Sequence, residues 1–183
     1  MMGWTVQQKK FVEGTVLVCN RQGNNLANPR FIKVTANGAA DRSLSLTNDG
    51  FRGMGIKKDL RYDFSMMYRL PKGNLVLHIE LVDSTKKVLG HTTVTPAVTA
   101  GEDWKRLSLN FTATATEAKA KLNIWFEGSG VMDMDMISLF PEDTWKKRPG
   151  GMRADMVQLL ADMKPGFIRF PGGCIVEGFD LSQ

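Results

Sequence analysis

Histidine and cysteine are scarce in this chain, with two of each among 183 residues. His78, His91, Cys19 and Cys174 lie far apart and show none of the spacings that build a structural zinc site. Two distant cysteines also leave the redox compartment unread. No run approaches the ~20 apolar residues that a membrane-spanning helix needs. The opening stretch, Met1 to Phe11, holds no apolar core of the kind a secretion signal requires. Clustered positive charge is missing too. The net charge is +5, from 24 Lys+Arg against 19 Asp+Glu, yet the cations are scattered as pairs. The one group of three is Lys146-Lys147-Arg148. A nucleic-acid partner would want a concentrated basic face, so neither nucleic acid nor membrane is expected as a partner. Hydrophobic residues at 43% and charged residues at 23% are ordinary for a globular domain and argue against disorder.

Residues 1–141 also lack any helical period. They carry alternation instead, which places one set of side chains on a buried face. Tyr62, Phe64, Met66, Tyr68 and Leu70 alternate with polar residues, and Leu75, Leu77, Ile79 and Leu81 repeat the pattern. Pro71-Lys72-Gly73-Asn74 between them predicts a hairpin turn. Further runs are Leu107–Phe111, Ala118–Phe126 and Met132–Met136, with weaker strands at Thr15–Cys19, Arg30–Thr35, Ser43–Thr47, Met54–Lys57 and Thr92–Ala97. Turn residues separate them, including Asn48-Asp49-Gly50 and Gly128-Ser129-Gly130. Many short strands with frequent turns predict a mainly β fold, a jelly-roll β-sandwich over 1–141.

The pattern changes afterwards. Residues 142–149 are polar and read as a linker. Met152, Met156, Val157, Leu159, Leu160 and Met163 then fall at helical spacing, and Pro165-Gly166 ends the helix. Phe167-Ile168-Arg169-Phe170 reads as a short buried strand before Pro171-Gly172-Gly173. One helix and one parallel strand form an incomplete α/β unit, since such a strand needs neighbours and covering helices. Residues 150–183 are therefore expected to be the start of something larger, and the exposed Met and Leu residues of the helix leave room for association between chains.

The segments Arg148-Pro149-Gly150-Gly151-Met152-Arg153 and Gly166-Phe167-Ile168-Arg169-Phe170-Pro171-Gly172-Gly173-Cys174-Ile175-Val176-Glu177-Gly178 closely resemble the early catalytic barrel of family-51 α-L-arabinofuranosidases. More weakly, Asn28-Pro29-Arg30-Phe31, Asn48-Asp49-Gly50-Phe51-Arg52-Gly53-Met54 and Met134-Asp135-Met136-Ile137-Ser138-Leu139 are similar to the carbohydrate-binding-type sandwich of longer members. The resemblance implies a galactose-binding-like sandwich followed by the truncated start of a (β/α)8 barrel. It implies that the parent removes terminal α-L-arabinofuranosyl groups from arabinan or arabinoxylan, with retention, using two glutamates roughly 5 Å apart. Neither Glu177 nor Asp180 matches a catalytic glutamate position, so this chain is expected to be inactive alone. The resemblance further implies that Arg169 contacts arabinofuranose and that Cys174 lies near the same subsite. A guanidinium at a barrel strand's C-terminal end has the donors for sugar hydroxyls, or for a structural acid.

Three other readings follow. Trp125 lies on the face opposite Leu122, Ile124 and Phe126, which makes it the expected stacking platform for a glycan, the alternative being edge packing. Sandwiches of this resemblance often hold a structural calcium ion, and Asp135 with Glu13 are the expected side-chain ligands, the alternative being solvent-facing acids. No organic cofactor is expected. The partner is expected to be a plant cell-wall polysaccharide or arabino-oligosaccharide. A polymer substrate fits an extracytoplasmic location, although these residues show no signal peptide. A non-catalytic carbohydrate-binding module and a purely structural sandwich remain the alternatives to an enzyme part.

Overall fold

The computed structural model describes residues 3–9, 11–21, 28–101, 103–167 and 169. Two compact units are present, Met1–Glu142 and Asp143–Gln183.

Among the described residues, the first unit is built from nine antiparallel strands: β1 (Trp4–Gln8), β2 (Gly14–Asn20), β3 (Arg30–Ala39), β4 (Leu44–Asn48), β5 (Met54–Ile56), β6 (Arg61–Val82), β7 (Val88–Val94), β8 (Lys105–Thr112) and β9 (Glu117–Pro141). The organising feature is the pairing of the two long strands. β6 and β9 run antiparallel from Tyr62↔Pro141 to Val82↔Lys121. The first half of β6 and the second half of β9 continue outward to β8 on one side and to β3 and β2 on the other. The remaining halves continue to β7 on one side and to β4 and β1 on the other. One pair of bent strands thus serves both sheets of a β-sandwich.

The expected hairpin at Pro71–Asn74 is therefore a bend inside one strand, and the same holds for Gly128–Gly130 inside β9. The register slips between Arg69 and Lys72, where the chain changes sheets. Turn-forming residues and a strand corner share the same need. Gly73 and Gly128 both have positive φ, at 112° and 96°. A Cβ on Gly73 would overlap Gly130 Cα and the Ser129 carbonyl, and one on Gly128 would overlap the Asn74 carbonyl. The two backbones cross too closely there for any side chain.

Alternation fills the space between the sheets. Phe64, Met66, Leu70, Leu75, Leu77, Ile79 and Leu81 of β6 are at most 1% exposed, as are Ile124, Phe126, Met132 and Met134 of β9. Leu44 and Leu46 of β4 and Val34 of β3 join the same core. Burying each such side chain contributes about 1.5–3 kcal/mol, which makes this layer the main source of stability.

In the second unit, Thr144 bridges Arg153, and its hydroxyl donates to the Arg148 carbonyl at 2.6 Å. The helix α1 spans Ala154–Asp162 inside the expected stretch, with Met156, Leu159 and Leu160 exposed. Ile168 and Phe170 of the expected strand lie outside the described residues. No helix among the described residues is long and apolar enough to cross a membrane.

Candidate functional site

The outer face formed by β1, β4, β9, β6 and β7 carries the molecule's most developed polar arrangement. Because Leu44, Leu46, Leu122, Ile124, Ile79 and Leu81 point inward, their neighbours Ser45, Thr47, Asn123 and Glu80 must point outward. Those outward side chains are nonetheless buried, at 2%, 7%, 8% and 4% exposure. They form the floor of a cleft of about 350 Å³. Its walls come from Thr5 and Gln7 of β1, from Lys9 just after it, from Asp41 and Arg42 ahead of β4, and from the turn after β6.

Glu80 is the centre of this floor. Its carboxylate accepts from Arg42 through Nε at 3.3 Å and Nη2 at 2.6 Å. It also accepts from the Trp125 indole at 2.9 Å and the Asn123 amide at 3.3 Å. Asn123 in turn accepts from the Thr47 hydroxyl at 2.9 Å. Burial pushes the Glu80 carboxyl up, but the hydrogen bonds from Arg42, Trp125 and Asn123 and the Arg42 charge outweigh it and hold the pKa below the ordinary glutamate value. The same hydrogen bond raises the Arg42 pKa against the opposing effect of burial. Both shifts favour the charged forms of the pair.

Trp125 does face outward, as expected, but it is not an open platform. His78, its partner on β6, stacks on the ring with centroids 3.5 Å apart and planes 2° from parallel. The Arg42 guanidinium lies 5.1 Å from the ring centroid and approaches from the β4 side. His78 is held by Glu127 at 2.9 Å and by Thr93 at 3.2 Å. A sugar stacking on Trp125 would have to displace one of these neighbours, so the indole acts here as a spacer and hydrogen-bond donor.

The opposite outer face holds a second cluster. Arg21 lies 4.6 Å and Arg69 5.5 Å from the Trp104 ring centroid, and Phe31 meets Trp104 edge-on at 5.7 Å. Arg69 donates to Asp133 from Nε at 2.9 Å and Nη2 at 2.6 Å. Asp135 accepts from the Arg21 guanidinium and from Asn28 at 2.8 Å. That arrangement does not fit the expected calcium site, because a cation already neutralises the carboxylate. Glu13 is also remote. It precedes Gly14, which pairs with Ala36, whereas Asp135 follows Met134, which pairs with Ile32. The separation is on the order of 15–20 Å along the strands. Among the described residues no group of three or more His, Cys, Asp or Glu side chains could hold a metal ion.

Arg169 is exposed, and Cys174 lies outside the described residues. The sequence reading missed Glu80, Arg42 and Asn123. A signal for them existed in the outward series Ser43, Ser45 and Thr47, which is all small and hydroxylated where a solvent face would carry long charged side chains.

No protein-family model matches the chain. It is 32% identical over 168 residues to an extracellular exo-α-L-arabinofuranosidase of Streptomyces chartreusis, a match covering 91% of this chain and 19% of that enzyme. α-L-Arabinofuranosidase 1 of Arabidopsis thaliana is 31% identical over 161 residues, covering 87% of this chain and 23% of that protein. The chain thus spans about a fifth of the length of these curated relatives. A solved GH51 α-L-arabinofuranosidase with arabinose bound superposes with a TM-score of 0.82 at 26% identity, covering 99% of this chain and 30% of that one.

Proposed function

We propose, from the kinship of this chain with the family-51 α-L-arabinofuranosidases, that it forms part of a retaining glycoside hydrolase. That hydrolase would remove terminal α-L-arabinofuranosyl groups from arabinan- or arabinoxylan-type polysaccharides. The observation that carries the reading is similarity along nearly the whole chain, sandwich and tail together, to enzymes of one activity. An accessory sandwich borrowed alone would have matched over its own residues only.

In this reading Arg169 donates hydrogen bonds to arabinofuranose hydroxyls, and Cys174 borders the same subsite. The nucleophile and the acid/base are two glutamates outside this chain, about 5 Å apart as retention requires. This chain by itself turns nothing over. The sandwich buttresses the catalytic domain or orients polysaccharide, and the location is extracytoplasmic, as the name of the Streptomyces relative states for that enzyme.

The test is an assay of the full-length protein containing this chain, on 4-nitrophenyl α-L-arabinofuranoside and on arabinan. Arabinose release with retained anomeric configuration supports the proposal. Hydrolysis of a different glycoside with none of arabinofuranosides would remove it. This chain alone, assayed in parallel, should release no arabinose.

A further inference from the structure

We infer that the cleft over Ser45, Thr47, Glu80 and Asn123 is a non-catalytic binding site for a short, neutral, pentose-containing oligosaccharide. The choice of a pentose rests on the proposed function. The existence and the neutrality of the site rest on the cleft alone.

Four observations point the same way. Small polar side chains on three adjacent strands leave a trough where an ordinary solvent face would be filled. The resulting 350 Å³ lies within the ~300–1,000 Å³ typical of small-molecule sites. The floor is ordered before any ligand arrives, because Thr47, Asn123 and Glu80 fix one another through hydrogen bonds and Arg42 clamps the carboxylate. Capacity remains for hydroxyl groups: a guanidinium has five N–H donors, and Glu80 takes two of those on Arg42.

The rim decides the charge of the ligand. Lys121 pairs with Asp49 at 2.9 Å, and Arg42 pairs with Glu80. Lys9 donates to the Asp41 carbonyl at 2.9 Å and Lys86 to the Gln7 side chain at 3.2 Å. The lining carries as many carboxylates (Asp41, Asp49, Glu80 and Asp83) as cations (Lys9, Arg42, Lys86 and Lys121), so an anionic sugar would gain no net positive charge and would meet Glu80. A neutral polyol can exchange hydrogen bonds with these groups without separating an ion pair. Trp125 contributes from below by holding Glu80, which explains why an indole here has its ring faces covered.

The experiment is a titration of ¹⁵N-labelled chain with arabinotriose, xylotriose and glucuronic acid, followed by amide shifts. Saturable shifts at Ser45, Thr47 and Asn123 with either neutral trisaccharide are the expected result. Ser45→Leu, which fills the floor, should weaken binding at least tenfold. Gln7→Ala on the rim should weaken it severalfold without touching the core, and Trp104→Ala on the opposite face should leave it unchanged. Absence of saturable shifts, shifts centred on Phe31 and Trp104, or preference for glucuronic acid would each overturn the inference. Failure here with arabinose release intact in the full-length enzyme removes only this site. Binding here with no arabinosidase activity removes only the proposed function.

Discussion

Arg42 and Glu80 stand 38 residues apart in sequence and meet through two hydrogen bonds, at 3.3 and 2.6 Å, with the carboxylate side chain only 5% exposed. Glu80 is thereby held ionised despite its burial, with a folded-state pKa below the ordinary ~4.3. A carboxyl whose pKa is depressed on folding contributes stability above its unfolded value. That contribution is lost as pH falls through the folded value. Denaturant unfolding of the wild type and Glu80→Gln, each at pH 7 and at pH 3, checks this. The wild type should lose more stability on acidification than the variant does. Equal losses would mean that the pair contributes nothing titratable.

Gly73 should tolerate no side chain. Its φ of 112° already disfavours one, and a Cβ would strike the backbone of Ser129 and Gly130 in the facing strand. Gly73→Ala should cost about 3 kcal/mol or more, since both long strands change sheets at this crossing. Gly38→Ala makes the control: its Cβ would meet nothing within 4 Å, although its φ of 66° carries some strain. Thermal melts of the two variants should differ clearly, and similar losses would place the constraint in φ alone.

On the opposite face, Asp133 is 2% exposed and depends on Arg69, with Lys33 more distant at 3.9 Å. Arg69→Ala should cost roughly 3–5 kcal/mol, because it strands a buried carboxylate. Removing both charges with Arg69→Met/Asp133→Leu should cost less than the single change. Urea unfolding of the three proteins decides it. A double variant worse than Arg69→Ala would show that the pair is worth more than its desolvation.

Much of this molecule was legible from alternation, because the core-facing positions follow a period of two within each half of β6 and of β9. Four things were not. The strand corners at Gly73 and Gly128 carry the same residues as hairpin turns, and only the facing strand distinguishes the two. The Glu80 cleft depends on strands from four distant parts of the chain, so no local window contains it. Trp125 was visible as an outward aromatic, yet its environment depends on His78 and Arg42, which no sequence spacing relates to it. The pairing of Asp135 with Arg21 was hidden for the same reason: 114 residues separate them.

Arg169 offers the sharpest test of the tail. The expectation that it ends a barrel strand rests on the Phe-Ile-Arg-Phe-Pro-Gly-Gly segment. A charged hydrogen bond to a sugar hydroxyl contributes about 1.5–3 kcal/mol. Under the proposed function, Arg169→Ala in the full-length protein should therefore lower kcat/KM for an arabinofuranoside by roughly 10- to 150-fold. Arg169→Lys should recover only part of it, since an ammonium lacks the planar fork that meets two hydroxyls at once. A thermal melt matching that of the wild type would separate this loss from misfolding. Unchanged kinetics in a folded Arg169→Ala enzyme would return the residue to a structural role, pairing with an acid rather than with the substrate.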